Sequence, residues 1–287
     1  MQKITVKKLA DALGAEISGV DLTKPLDNEI VEQLIAAWSE HLVLRFRGQR
    51  LSDPELLALT RYFGEIDPPG PNPQGKPYLP EFPEINVISN IKQNGDAIGG
   101  LGDGEAVWHT DMTYIESPPK GAFLHALEIP PSGGDTSWSN MHTAYANLSN
   151  ELKDLIKDKK AIHDATYNSA GFMRRGMSEV TDPRKAPGAH HPLVVKHPIT
   201  GLPSLFLGRR RNSYILGLTL KESEELLDEL WSHVSNPAYM FTQVWQLHDL
   251  MLWDNHSTMH RRDDFDPNSR RLMHRTQIKG CPLPQYN

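Results

Sequence analysis

His109 and Asp111 stand two residues apart in the run Trp108-His109-Thr110-Asp111-Met112. On an extended strand, side chains two apart emerge on the same face, so this spacing aims an imidazole and a carboxylate at one place. Two further histidines, His256 and His260, lie in the segment WDNHSTMHRR (253–262), and either could complete a set of two imidazoles and one carboxylate. Such a set covers one face of an octahedral ion and leaves positions open for a co-substrate and O2, the arrangement of non-haem Fe(II) centres. Zinc sites use the same residue types, so a zinc-dependent hydrolase stays open as an alternative. So does a non-catalytic binding protein. With 13 histidines in 287 residues, a His-x-Asp pair arises by chance, and its simplest form is a strand carrying a His–Asp hydrogen bond.

Three more stretches carry groups suited to small acids. The turn GGDT (133–136) brings the Thr136 hydroxyl out of a tight loop. The run RRLMHR (270–275) holds three guanidinium groups, and in an extended chain Arg271 and Arg275 share a side. The segment LGRRRNSYILG (207–217) adds Arg209, Arg210 and Arg211. A guanidinium fork matches a carboxylate in bidentate geometry, which an ammonium group cannot do; on a solvated surface the same arginines would form ordinary ion pairs. Glu105, just ahead of the ligand strand, is a candidate for one more polar contact.

These groups need elements to hold them. DNEIVEQLIAAWSEH (27–41) places Ile30, Leu34, Ile35 and Trp38 at helical spacing. A second helix opens at Ser52 with Glu55 three residues on, a capping-box pattern, and closes on Gly64. Thr219 and Glu222 repeat that pattern ahead of LKESEELLDELWSHV. A further helix is expected from about Thr143 to Lys157. LVLRFRG, INVISNI, GAFLHALEIP, PLVVKHPITGLPSLFLG, FTQVWQLHDLMLWDN and RRLMHRTQIKG read as strands. The Pro- and Gly-rich stretch from Asp67 to Pro83 and the aperiodic stretch from Tyr167 to His191 read as long loops, candidate walls or covers for a pocket. Short strands with Pro/Gly turns and outlying helices argue for a β-sandwich or jelly roll. No βαβ alternation, GxGxxG or Walker A pattern supports a dinucleotide or P-loop fold.

Composition narrows the partners. A net charge of −6 with scattered Lys and Arg disfavours nucleic acid and anionic membranes, and no run approaches a membrane span. The single cysteine, Cys281, has no internal partner for a disulfide, and MQKITVKKLADALG lacks the apolar segment of a signal peptide. A cytoplasmic location is expected.

Six blocks in order resemble the TauD/TfdA family of Fe(II)- and 2-oxoglutarate-dependent dioxygenases. They are FRGQ (46–49), WHTDMTYIESPPKGAFL (108–124), GGDTSW (133–138), HPLVVKHPITG (191–201), WDNHSTMHRR (253–262) and RRLMHRTQIKG (270–280). The resemblance implies a mainly β fold with flanking helices, a double-stranded β-helix (jelly roll), filling residues 1–287 as a single domain. It implies Fe(II), 2-oxoglutarate as co-substrate, and O2. His109, Asp111 and His260 become the metal ligands, because the family's distal histidine sits two after the Thr of WDN..T.H. His256 falls in a slot where the family often has Arg, so a packing or tuning role is expected of it. Thr136 and Arg271 become the 2-oxoglutarate contacts. Arg275 takes the position that receives the substrate's anionic group in taurine dioxygenase; specific to this sequence, one of Arg209, Arg210 and Arg211, with Arg210 and Arg211 the foremost candidates, is expected to meet a second anionic or polar group on the substrate. The implied reaction hydroxylates a C–H of a small anionic substrate, a sulfonate, sulfate ester, aryloxyalkanoate or N-acyl amino acid, and releases succinate and CO2. A homo-oligomer, dimer or tetramer, is expected by the same resemblance.

Overall fold

The computed structural model describes residues 3–69, 75–104 and 106–286. Its two principal sheets use, in chain order, β1 (Thr5–Lys8), β2 (Ala15–Ser18), β3 (Val43–Phe46), β4 (Ile66–Asp67), β5 (Asn86–Ser89), β6 (Gly100–Leu101), β7 (Ala106–His109), β8 (Gly121–Glu128), β9 (Thr136–Asn140), β10 (Met240–Gln243), β11 (Leu250–Asp254), β12 (Thr258–Arg262) and β13 (Leu272–Ile278). The larger sheet runs β1-β2-β3-β11-β8-β13-β5-β6, with β4 also paired to β13; the smaller runs β10-β9-β12-β7. Apart from the parallel pairs β2–β3 and β5–β6, every strand pair in the two sheets is antiparallel. This is the jelly-roll architecture expected from the strand pattern.

Alternation along β8 and β11 explains why both faces of the larger sheet are covered. Phe123, Leu250 and Leu252 join the cluster that Leu34, Trp38 and Phe63 bring from α1 (Asn28–His41) and α2 (Asp53–Phe63). Ala122, Leu124, Met251 and Trp253 point the other way, into the space between the sheets, where Trp253 meets Trp138 of β9 at 5.9 Å. Gly121 opens β8 where α1 crosses closest: a Cβ there would lie 2.5 Å from the Trp38 ring and 2.7 Å from the Trp253 carbonyl.

The cap signals are realised. The Glu55 carboxylate accepts from the Ser52 amide at 2.7 Å and from its hydroxyl at 2.6 Å. At α5 (Leu220–Val234) the reciprocal box is complete, Thr219 N–H to Glu222 and Glu222 N–H to Thr219 Oγ1. The helix expected from Thr143 to Lys157 is instead two, α3 (Met141–Ala146) and α4 (Asn150–Ile156). Asn140 caps the first and Ser149 restarts the second, each side chain accepting from the amides that follow it. Competition of such side chains with the continuing backbone is what splits the helix. No described helix is long and apolar enough to cross a membrane.

Candidate active site

The register of the smaller sheet brings the imidazoles together. On β12, His260 pairs with His109 of β7 on one side and with Trp138 of β9 on the other, and the two rings lie 4.2 Å apart. Asp111 does not sit on the strand, as simple alternation expected: β7 ends at His109, and the chain turns through Met112 at a φ of 51°. The carboxylate reaches the same point through a tertiary clamp. Asn255 accepts the Asp111 amide at 2.9 Å and donates to the Asp111 and Pro119 carbonyls at 3.0 and 2.9 Å. His109 Nε2 is then 3.6 Å from Asp111 Oδ1, and His260 Nε2 is 3.8 Å from Oδ2. One ligand atom from each of the three lies within 4.8 Å of the others. All three side chains are buried.

The protonation pattern suits a cation. His109 Nδ1 lies 2.7 Å from the Val107 carbonyl, which assigns the proton to Nδ1 and leaves the Nε2 lone pair facing Asp111. Burial holds both His109 and His260 below the ordinary imidazole range, so both are neutral donors at pH 7. Burial alone would raise the Asp111 carboxyl, but Arg275 and the two histidines hold it well below the usual carboxylate range. Two neutral nitrogens and one carboxylate, close enough to share an ion, fit a divalent metal.

Beside this triad a narrow cavity of about 40 Å³ is walled by His260, Thr136, Arg271, Arg275, Leu124 and Trp253. Arg271 is 2% exposed, its Nε is buried without a partner, and its side chain makes no hydrogen bond to any described residue. Lack of solvation pulls its guanidinium down to about 9. Arg271, Met273 and Arg275 share the inner face of the sheet because they alternate along the β13 run. Thr136 Oγ1 accepts from Trp245 Nε1 at 3.1 Å. A small acid with a carboxylate at its far end fits these residues: the cradle holds a cation, a hydroxyl and apolar walls, and lacks an anion.

A second chamber, about 290 Å³, opens beyond Asp111 and includes Met112, Tyr114, Ser169, Arg174, Arg209 and Arg275 in its wall. Tyr78, from the 67–83 loop, and Phe172, from the 167–191 loop, complete it, so both long loops form walls. Residues 70–74 of the first loop, and Glu105, lie outside the described residues.

Arg275 donates through Nη1 to both Asp111 oxygens, at 3.1 and 3.0 Å. Arg210 is turned away from the chamber: Asp228 and Glu224 of α5 bind it at 2.7 and 2.6 Å. Arg211 is exposed and stacks over the Tyr167 ring at 3.4 Å. Of the three consecutive arginines it is Arg209 that lines the chamber, because its backbone bridges to His109 and the Gly208 carbonyl accepts the Thr110 amide at 3.0 Å. His256 binds no member of the triad; its Nε2 lies 3.1 Å from the Pro118 carbonyl.

Ser169, Arg174, Asn255 and Arg262 were not singled out from the sequence. Arg262 ties down the segment ahead of β7 by donating to the Gly102 carbonyl at 2.8 Å and to that of Gly104. Only the doubled arginine in GFMRRGM hinted at Arg174.

Comparison with known proteins now decides the family. The model described as "Taurine catabolism dioxygenase TauD, TfdA family" matches residues 5–277. The chain belongs to this family. It is 32% identical to an alkylsulfatase of Acinetobacter baylyi over 97% of this chain and 86% of that one. It is 33% identical to pentalenolactone F synthase of Streptomyces arenae, covering 91% and 90% of the two. The crystal structure of a taurine dioxygenase from Burkholderia xenovorans superposes with a TM-score of 0.78 at 32% identity, covering 96% of this chain and 89% of that one. This TauD/TfdA protein is a 2-oxoglutarate-dependent non-haem iron dioxygenase, with Fe(II) as its metal and 2-oxoglutarate as its co-substrate. Membership decides against the zinc hydrolase and the non-catalytic binding protein.

Proposed function

We propose that His109, Asp111 and His260 hold Fe(II), that Arg271 and Thr136 hold the far carboxylate of 2-oxoglutarate, and that the enzyme hydroxylates a C–H of a small anionic substrate, releasing succinate and CO2. The observation that carries this reading is Arg271: a guanidinium 2% exposed, with no ion pair to a described residue, in a cavity shared with His260 and Thr136. A buried unpaired charge costs several kcal/mol, and a bidentate carboxylate is the partner that relieves it.

Bound together, the metal and the keto acid supply the oxidising chemistry with O2. The chain's own residues do the rest. His109 presents Nε2 because Val107 fixes its other nitrogen. Asn255 and Arg275 hold the Asp111 backbone and carboxylate. Ile88, Leu124 and Trp253 keep water from the small cavity, and Tyr78 and Phe172 cover the larger one.

Relatives named as an alkylsulfatase and as a pentalenolactone F synthase stand at nearly equal identity, so similarity alone does not choose a substrate. The arginines of the chamber favour an organic anion: a sulfonate, sulfate ester, aryloxyalkanoate or N-acyl amino acid. If the hydroxylated carbon also carries the heteroatom, the product collapses and the bond breaks; otherwise a stable alcohol remains. The test is succinate release by the Fe(II)-loaded enzyme against a panel of these four classes and their neutral counterparts. Stimulation by one anionic class and not by its neutral analogue is expected; equal stimulation by the neutral compound would refute the anionic assignment. Separately, Arg271→Gln should weaken 2-oxoglutarate binding to the Mn(II) protein at least tenfold while Mn(II) still binds.

A further inference from the structure

The chamber beyond Asp111 has three guanidinium groups in its wall and one carboxylate, Asp111 itself. That carboxylate is already engaged by Arg275, through Nη1, at 3.1 and 3.0 Å. Arg174 and Arg209 have no carboxylate within ion-pairing distance among the described residues. Each is held in place by a neutral carbonyl: Arg209 Nη1 donates to Tyr167 at 3.2 Å, and Arg174 Nη1 donates to Ala165 at 2.8 Å. The Arg209 Nε is buried and unpartnered. Arg174 also lies over the Tyr114 ring at 3.8 Å, and its other guanidinium donors make no hydrogen bond to a described residue.

Ser169 stands beside them. It is 4% exposed, and its hydroxyl bonds to no described residue. Its backbone is set by a tight local loop in which Asn168 Oδ1 accepts the amides of Ala170 and Phe172 at 3.1 and 2.9 Å. Ser169 lines both the narrow cavity and the larger chamber, so it sits at their junction. A buried hydroxyl without a partner, and two half-buried cations without a carboxylate among the described residues, are each costly alone. Gathered round one space, they form a seat for an anion.

We propose that Arg209, with Ser169 and Arg174, receives the anionic group of the substrate, while Arg275 serves chiefly to hold Asp111. This rests on the reading of the larger chamber as the substrate chamber, and it assigns the specificity determinants of that chamber to the 168–174 loop and to Arg209. The metal, Arg271 and Arg275 together carry four positive charges against three negative ones from Asp111 and 2-oxoglutarate, so the Arg209 and Arg174 charges still lack a counter-ion among the described residues when both are bound. The substrate class is an organic anion small enough for about 290 Å³, bearing a sulfonate, sulfate or carboxylate next to the reacting C–H segment.

The experiment is calorimetry on protein loaded with Mn(II) and 2-oxoglutarate under argon, titrated with benzenesulfonate, phenylacetate and, as the neutral probe, benzyl alcohol. Binding of at least one anion, and not of the alcohol, is expected. Arg209→Gln should weaken that anion about tenfold or more and Ser169→Ala about threefold, the usual range for a hydrogen bond to a charged group and for a neutral one. Arg209→Lys, which keeps the charge, should restore part of the loss. Arg210→Gln, whose partners are on α5, should change nothing. Mn(II) and 2-oxoglutarate affinities measured on the same samples should stay at parental values, which certifies that the variants fold. Anion affinity unaltered in both Arg209→Gln and Arg174→Gln would overturn the proposal. So would loss of anion binding in Arg275→Gln with Mn(II) affinity unchanged, since that would place the anion on Arg275. Failure of the parent protein to bind Mn(II) or 2-oxoglutarate is a different result, and would tell against the iron and keto-acid assignment instead.

Discussion

Arg275 and Asp111 form a buried pair in which one guanidinium nitrogen serves both carboxylate oxygens. Removing one partner of such a pair leaves a buried charge uncompensated, at a typical cost of roughly 3–5 kcal/mol. Arg275→Met should therefore destabilise the metal-free protein by about that much in a denaturant titration. Saturating Mn(II) should recover a large part of the loss, because an ion bound to Asp111 replaces the missing cation. Equal losses with and without Mn(II) would mean that Arg275 acts only by packing. Arg210 offers the contrast. Its pairs with Glu224 and Asp228 are partly exposed, where such bridges contribute about 1 kcal/mol or less. Arg210→Ala should leave Michaelis constants unchanged, and a changed constant would return Arg210 to the chamber. Residue type and spacing made His109 and Asp111 legible as chemistry-bearing groups, while choosing His260 over His256 and Arg271 among its neighbouring arginines took the family resemblance. Arg209 could not be separated from Arg210 and Arg211 that way, because the choice is made by the backbone bridge to His109 and by the acidic face of α5.

Gly208 links the ligand strand to the 206–209 segment. It has a φ of 69°, and a Cβ there would lie 2.1 Å from His163 Nδ1 and 2.8 Å from Thr113 Oγ1. Gly208→Ala is expected to push this segment off Thr110, whose amide the Gly208 carbonyl accepts, and so to weaken Mn(II) binding as well as lower the melting temperature. Gly217→Ala is the control: its φ is 84° with nothing within 4 Å, so it bears only the backbone strain of about 1–2 kcal/mol and should bind Mn(II) normally. Equal Mn(II) affinity in the two variants would remove the link. Helix starts were readable in sequence because a capping box lies within four residues, as Ser52 with Glu55 and Thr219 with Glu222 show. The Asp111 turn was not readable, since the side chain that fixes it, Asn255, is 144 residues away. Local alternation reached the right neighbourhood for the wrong reason.

The molecule as a whole buries an unusual amount of imidazole. Eight of its 13 histidines, including His125, His163, His191 and His256, are held below the ordinary value of about 6.5, in every case chiefly by burial. The unfolded chain takes up those protons near pH 6.5 and the folded one does not, so folding is unopposed by them above that pH and progressively opposed below it. Each such histidine adds about 1.4 kcal/mol of destabilisation per pH unit below 6.5, until its own folded value is reached. The metal-free protein should therefore lose several kcal/mol between pH 7.5 and 5.5, above the ordinary carboxylate range of about 4. His163 isolates the effect. Neither of its ring nitrogens has a partner among the described residues, and the ring stacks on Phe206 at 5.5 Å. Replacing a buried polar group that makes no hydrogen bond by an apolar one of similar size is close to neutral or stabilising. His163→Leu should thus match the parent protein at pH 7.5 and exceed it at pH 5.5, with a stability–pH slope shallower by about one proton. Parallel slopes for the two proteins would show that His163 is protonated equally in the folded and unfolded chains, and the acid lability would then have to come from elsewhere.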